Sequence, residues 1–173
     1  MIPDRSVSDV AVERWTSWRS SMIAALGHTS GPVLEVGVGH YSTPWLHQYC
    51  LAMDRQLVSV EDNPDWFEEF LHQFGAPNHH FQQGSYDVLI PSLKRTRWGV
   101  VFLDHSPGER RGKDAGHFLE LSEYVVIHDF EGNVADIFNR EVQLTALTSF
   151  CVDNVVSPPT LTVSQNRRLP PPR

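Results

Sequence analysis

Short hydrophobic runs and helical patterns alternate along most of the chain. Runs with the length of buried strands cover residues 32–37, 57–61, 79–82, 99–104 and 124–128. Between them, apolar residues recur at helical spacing, most clearly from Pro64 to Phe74, where they form a stripe that ends before Gly75. Strands that alternate with helices predict a mostly parallel sheet with helices on both faces.

The remaining pattern predicts further helices and a closing hairpin. Helices are expected within residues 1–30 up to Gly27, from Thr43 to about Met53, over Val88–Leu93, near Asp114–Ser122 and over 134–148. Two strands, Phe150–Val156 and Thr160–Ser164, flank a proline turn and add an antiparallel strand at the edge, which brings the sheet to seven strands. We therefore predict one domain over residues 1–166, an N-terminal helix within 1–30 that precedes the sheet, and a disordered proline-rich tail over 167–173.

Composition narrows the class of protein and of ligand. The 173 residues are 40% hydrophobic and 20% charged, as in ordinary globular proteins, and no apolar run approaches the roughly 20 residues that span a bilayer. The N-terminus has no basic and apolar signal segment, so we expect a cytoplasmic protein without membrane attachment. A net charge of −7 disfavours nucleic acid and favours a small-molecule partner. The sequence carries no signal for an oligomeric state.

Glycines and ionisable residues stand where the predicted strands end. Ligands of open α/β sheets bind outside the carboxyl ends of the strands, near the point where the strand order reverses. The residues at these ends are Glu35, Gly37 and Gly39 after the first strand, Glu61 and Asp62 after the second, Asp104 and His105 after the fourth, and His128 and Asp129 after the fifth. We therefore expect the functional site at this edge of the sheet.

The first two strand ends indicate an adenosine ligand. Gly37 and Gly39 let a ligand approach the backbone, and Ser42 or Thr43 is expected to cap the next helix. Glu61, 22 residues after Gly39, is placed to accept hydrogen bonds from two ribose hydroxyls. A turn built only for packing and a solvated surface acid are the alternative interpretations. A dinucleotide site needs a third glycine where this chain has Ser42, so a ligand without pyrophosphate fits better.

Four segments carry a resemblance to a known family. They are Val33–Ser42 (VLEVGVGHYS), Leu57–Asp65 (LVSVEDNPD), Gly84–Asp87 with the Ile90–Leu93 turn, and Phe102–His105 (FLDH). In this order, from about residue 32 to 133, they resemble the motifs of the class I S-adenosylmethionine (SAM) methyltransferases, and most of all the catechol O-methyltransferase-type group. The resemblance implies a Rossmann-like three-layer sandwich that binds SAM.

The resemblance also assigns roles to individual residues. It implies that Glu35, Gly37 and Gly39 lie against the methionine part of SAM, that Glu61 holds the ribose, and that Ser85, Tyr86 and Asp87 border the adenine. Ser42, Asp62 and Asp104 are included among the expected cofactor contacts. Asp104 and Asp129 are implied to hold a divalent cation, and because strands four and five should be neighbours, their carboxylates are expected to converge. Mg²⁺ suits such oxygen ligands and would lower the pKa of an acceptor hydroxyl.

Two departures from that group leave the general base open. The group has a lysine three residues after the metal aspartate, where this chain has Pro107, and an Asp-Asn pair where this chain has His128-Asp129. His105 or His128 can serve instead, since an imidazole titrates near neutral pH. The expected catalytic residues are therefore Asp104, His105 and His128.

The loop after Asp104 bears on the methyl acceptor. Arg110, Arg111 and Lys113 are candidates to clamp an anionic acceptor such as a uronate, and a solvated surface loop is the alternative. The leading hypothesis is methyl transfer to a hydroxyl of a small molecule, catechol-like or sugar-like. A nucleotide-binding module without catalysis and an NAD-dependent oxidoreductase are the alternatives.

Overall fold

The computed structural model describes residues 14–142, 147, 149–155 and 157–165. Its strands are β1 Val33–Val36, β2 Leu57–Glu61, β3 His79–Gln83, β4 Trp98–Leu103, β5 Ser122–Ile127, β6 Ser149–Asp153 and β7 Thr160–Ser164. Its helices are α1 Arg19–Gly27, α2 Ser42–Ala52, α3 Pro64–Phe74, α4 Tyr86–Ser92, α5 Arg110–Ala115 and α6 Gly132–Glu141, with a 3₁₀ turn at Leu93–Arg95.

The seven strands form one sheet in the order β3-β2-β1-β4-β5-β7-β6. Strands β1 to β5 pair in parallel, and β7 lies antiparallel between β5 and β6. The predicted mostly parallel sheet with an antiparallel C-terminal hairpin is confirmed. The winding of the chain reverses between β1 and β4, so the carboxyl ends of these two strands flank the crevice where ligands of such sheets bind.

The core lies on both faces of the sheet, because successive strand residues point to opposite sides. On one face, Val33, Val100 and Phe102 pack against residues of α1 and α2. On the other face, Leu34 and Val101 pack in a cluster that includes residues of α4 and α6. The strands are buried on both sides, which explains their continuous hydrophobic sequences.

Some predicted boundaries differ from the structure. The helix expected near Asp114–Ser122 is instead α5, which begins at Arg110 and ends at Ala115, and Ser122 already belongs to β5. Hydrophobic periodicity missed its first turn because the buried residue there, Arg111, is charged. Helix α6 covers only the first part of the prediction over 134–148, and β6 ends at Asp153.

Four predictions lie partly or wholly outside the described residues: those on residues 1–13, on 143–146 and 148 of the helix predicted over 134–148, on Val156 and on the tail 167–173. Among the helices that the structure describes, none has the length and hydrophobicity to cross a bilayer.

Candidate functional site

The glycine turn after β1 is held against the loop that follows β4. Gly37 has a φ of +88°, and a Cβ at this position would lie 2.5 Å from the Cα of His105. Only glycine fits both the conformation and the contact. Gly39 is less crowded: a Cβ there would lie 3.2 Å from the Ser42 Oγ, which is closer than an ordinary van der Waals contact, and would have no other described atom within 4 Å. The turn is therefore packed tightly against the loop after β4 at Gly37 and less tightly at Gly39.

The carboxyl group of Glu35 is fully buried below this turn. Ser59 Oγ donates to it at 2.6 Å, and Thr43 Oγ1 lies 3.0 Å from both carboxyl oxygens. The Thr43 hydroxyl also accepts from the Gly39 N–H at 2.9 Å, so it ties the turn to Glu35. Neither Ser42 nor Thr43 acts as the expected N-cap, because α2 begins at Ser42 itself. Ser42 is also buried at this turn, and its hydroxyl is among the groups that lower the pKa of Glu35.

A line of polar side chains continues from Glu35 towards the third strand. Ser59 Oγ lies 2.9 Å from His79 Nε2, and His79 Nδ1 lies 3.1 Å from His47 Nδ1. Burial raises the pKa of Glu35 to about 7, in spite of the hydrogen bonds that lower it, and burial lowers the pKa of His79 to about 3. Near neutral pH, His79 is therefore uncharged, and a large fraction of Glu35 is protonated.

Glu61 lies at the carboxyl end of β2 and faces the same turn. Its carboxylate accepts from the Val38 N–H at 3.0 Å and the Asn63 N–H at 2.9 Å, and from the Tyr86 hydroxyl at 3.4 Å. A carboxylate has about four acceptor positions, and the Tyr86 bond is at the long limit, so Glu61 has capacity for ribose hydroxyls. Burial raises the pKa of Glu61. Asp62, the next residue, is exposed.

The expected adenine-side residues divide between surface and core. Ser85 and Asp87 are exposed at the N-terminus of α4, where Ser85 is the N-cap and Asp87 pairs with Arg110 at 2.7 Å. Tyr86 is buried instead, and its ring centroid lies 4.7 Å from that of His105. Tyr86 therefore packs against the loop after β4 and donates a hydrogen bond to Glu61.

Asp104 and Asp129 converge, as the pairing of β4 with β5 predicts, but a guanidinium lies between them. Arg111 Nη2 is 3.1 Å from Asp104 Oδ1, and Arg111 Nη1 is 2.7 Å from Asp129 Oδ2. His128 Nδ1 also lies 2.9 Å from Asp104 Oδ1, and His128 Nε2 lies 2.9 Å from Ser17 Oγ. The two carboxylates thus share a cation that the protein itself supplies.

This arrangement does not fit the expected Mg²⁺. Ligand atoms of Asp104, His128 and Asp129 lie within 4.8 Å of one another, close enough for one ion. Arg111 already pairs with both carboxylates and offsets one of their two charges, however, and two unit charges of like sign 4 Å apart repel by about 4 kcal/mol at an effective dielectric constant of 20. A divalent ion would have to displace a buried arginine. The interpretation of Arg111 as a clamp for an anionic acceptor is also wrong, because its donors are bound within the protein.

Both histidines proposed as the general base are buried. The His105 side chain is 0% exposed, with Nε2 2.9 Å from Asp114 Oδ2, and the His128 side chain is 2% exposed. Burial lowers the pKa of His105. Both rings are therefore almost completely screened from solvent. The Asp104 side chain is 22% exposed and the Asp129 side chain is 35% exposed, so the two carboxylates are the accessible groups of the cluster.

Sequence reasoning missed the residues that support this site. Ser59 interrupts an apolar strand and lies opposite Glu35 in the β1–β2 register, so a serine in a buried strand was a signal for a buried polar network. Thr43 was considered only as a cap. The role of Arg111 had no local signal, because its partners lie on two different strand ends.

Comparisons of sequence find no relatives: no family model matches, and no curated protein matches. Comparisons of structure do find similar proteins. The SAH-bound methyltransferase PaMTH1 of Podospora anserina is similar with a TM-score of 0.66 and 11% identity, over 95% of this chain and 91% of that chain. Human methyltransferase-like protein 13 in complex with SAH has a TM-score of 0.58 and 14% identity, over 86% and 81%.

An rRNA methylase from Streptococcus thermophilus is similar as well, with a TM-score of 0.56 and 10% identity, over 86% of this chain and 95% of that chain. This chain has the class I methyltransferase fold. The similar structures do not single out the catechol O-methyltransferase-type group. Because proteins of this fold act on different acceptors, the fold does not identify the substrate.

Proposed function

We propose that this protein is a SAM-dependent methyltransferase that transfers a methyl group to a hydroxyl of a small molecule. The observation that carries the proposal is the position of Glu61, a buried carboxylate at the end of β2 that is held by the glycine turn at 3.0 Å. In this fold the same crevice holds the adenosyl ligand, and the residues around it have the right chemistry for one.

Different residues of the crevice are proposed to bind different parts of SAM. Glu61 accepts hydrogen bonds from the ribose, while the backbone of Gly39, which has no side chain, lets the polar methionine end approach the turn. Ser85 and Asp87 stand on the adenine side of the crevice. No third glycine opens the turn for a pyrophosphate, so we place SAM ahead of NAD as the ligand.

Asp104 is the proposed catalytic residue. SAM, when bound, supplies an electrophilic methyl group on its sulfonium. Asp104 takes up the proton that the acceptor hydroxyl releases as its oxygen forms the bond to the methyl carbon and the carbon–sulfur bond breaks. Arg111 Nη2 and His128 Nδ1 lie 3.1 and 2.9 Å from Asp104 Oδ1 and fix the position of the carboxylate. Because both residues are buried, we assign them the role of positioning Asp104.

A methyl-transfer screen tests the proposal. Purified protein is incubated with methyl-labelled SAM and a panel of catechols, sugars and uronates, and labelled products are separated from the cofactor. We expect transfer to at least one hydroxyl compound, and no transfer to the matching compound in which that hydroxyl is already methylated. SAM binding without any transfer would support the alternative of a binding module. Transfer only to nitrogen or carbon acceptors would contradict the hydroxyl assignment.

A further inference from the structure

The Arg111 side chain makes four hydrogen bonds and two ion pairs within the protein. Nε donates to the His105 carbonyl at 2.9 Å. Nη1 donates to the His128 carbonyl at 3.1 Å and to Asp129 Oδ2 at 2.7 Å. Nη2 donates to the Asp104 carbonyl and lies 3.1 Å from Asp104 Oδ1 as well. A guanidinium has five donors, so four of them are hydrogen-bonded, and both Nη atoms also lie in ion pairs.

The fold builds this position from three elements. Helix α5 carries Arg111, and the loops after β4 and β5 supply the oxygens. Gly112 allows α5 to lie directly on the backbone of α6, since a Cβ there would be 2.7 Å from the Phe138 nitrogen. Asp129 has a φ of +51°, a conformation that aspartate tolerates better than most residues. The whole Arg111 residue is only 6% exposed. A long charged side chain is rarely buried this deeply unless its charge is paired.

The oxygens around Arg111 are also the ones that a divalent cation would use. Two carboxylates and a histidine nitrogen, from Asp104, Asp129 and His128, have ligand atoms within 4.8 Å of one another. Arginine keeps its positive charge throughout the pH range in which most proteins are stable, and its planar fork matches two carboxylates at once. The Arg111 guanidinium therefore takes the position of a bound ion between the two carboxylates, with one positive charge.

We propose that Arg111 is a built-in replacement for a divalent metal at the ends of β4 and β5, so that wild-type protein binds no metal there and a neutral residue at position 111 turns the cluster into a metal site. Only one consequence of this inference rests on the proposed function. Once an acceptor is known, methyl transfer should proceed at an unchanged rate in excess chelator. Metal binding and thermal stability test the rest without any activity assay.

The experiment compares wild type with Arg111→Met, which keeps most of the aliphatic stem, and with Arg110→Met as the matched control. Arg110 pairs with Asp87 and Asp114 and not with the cluster. Binding of Mn²⁺ is measured from the loss of the free-ion paramagnetic resonance signal, and the melting temperature is measured with and without Mn²⁺. Wild type and Arg110→Met should bind no Mn²⁺ at this cluster and melt at a temperature that the ion does not change.

Arg111→Met should melt lower, by roughly 6–20 °C for the loss of one partner of a buried pair in a chain of this size. It should bind Mn²⁺ and regain part of that loss when the ion is added. Should it fail to fold without the ion, folding on addition of Mn²⁺ gives the same support. Arg111→Lys keeps the charge and should fold without gaining the ion.

Two results would overturn the inference. One is Mn²⁺ binding to wild type with a Kd tighter than about 10⁻⁴ M, the weak end of protein calcium sites, provided that Asp129→Asn removes it. The other is an Arg111→Met protein that neither binds Mn²⁺ nor gains stability or folding from it. A failed methyl-transfer screen leaves both measurements valid, so failure of the proposed function and failure of this inference are distinguishable.

Discussion

Asp104→Asn should lower the kcat of methyl transfer by about 10²- to 10⁴-fold, the usual contribution of a general base, and leave the affinity for SAM nearly unchanged. Asparagine has the same shape, and its oxygen still accepts from Arg111 and His128, which now lie 3.1 and 2.9 Å from Oδ1. It cannot take up a proton from the acceptor. The measurement is single-turnover transfer to an acceptor found in the screen, together with calorimetry of cofactor binding.

Asp129→Asn is the matched control for this prediction. It removes the same charge from the same guanidinium, at an even shorter distance of 2.7 Å, but from the other side of the cluster. If Asp104 acts as the base, Asp129→Asn should lose much less activity. Equal losses in the two variants would mean that Asp104 matters only through the position of Arg111, and the base would have to be sought elsewhere.

The stability of the fold should depend on the protonation of Glu35. The carboxyl group has 0% exposure, and burial raises its pKa from the ordinary 4.5 to about 7. A raised pKa means that the folded state holds the proton more tightly, so the stabilisation is complete below pH 4.5 and is lost as the pH rises through 7. Linkage of a shift from 4.5 to 7 at 1.36 kcal/mol per unit gives a loss of roughly 3 kcal/mol.

Urea unfolding at pH 5 and pH 8 of wild type and Glu35→Gln measures this effect. The glutamine side chain is uncharged at both values, so the difference between the two proteins isolates the Glu35 proton. Wild type should lose about 2–3 kcal/mol more than Glu35→Gln between these pH values. Parallel pH profiles for the two proteins would show that Glu35 does not titrate differently in the folded state.

The sequence predicts the sheet well because its strands are hydrophobic on both faces. Continuous apolar runs such as 99–104 are the expected pattern for parallel strands between two helical layers, and β4 is found there. Once the strands are predicted, their carboxyl ends are known, and so are the positions of Glu35, Glu61, Asp104 and Asp129 at or near those ends. These residues could be predicted to share one edge because parallel strands all end on the same side.

What the sequence does not predict is the pairing among polar groups at that edge. Hydrophobic periodicity treats Arg111 as a surface residue, yet it is buried through ion pairs with residues from two distant strand ends. For the same reason the predicted helix begins later than α5 does, and the ion pairs of Arg111 with Asp104 and Asp129 are not predicted. Histidines 105 and 128 looked like bases by type, but their burial depends on packing by Tyr86 and Phe102 across the core.

The central claim is that the crevice beside Glu61 binds SAM, and calorimetry of SAM, its demethylated product SAH and NAD tests it most directly. The variants are Glu61→Ala and, as a control, Glu68→Ala, an exposed acid on α3. We expect SAM and SAH to bind more tightly than NAD. Glu61→Ala should weaken their affinity roughly 10- to 150-fold, which corresponds to 1.5–3 kcal/mol for hydrogen bonds to a charged group, and Glu68→Ala should not. NAD binding as tight as that of SAH, or unchanged affinity in a folded Glu61→Ala protein, would contradict the account.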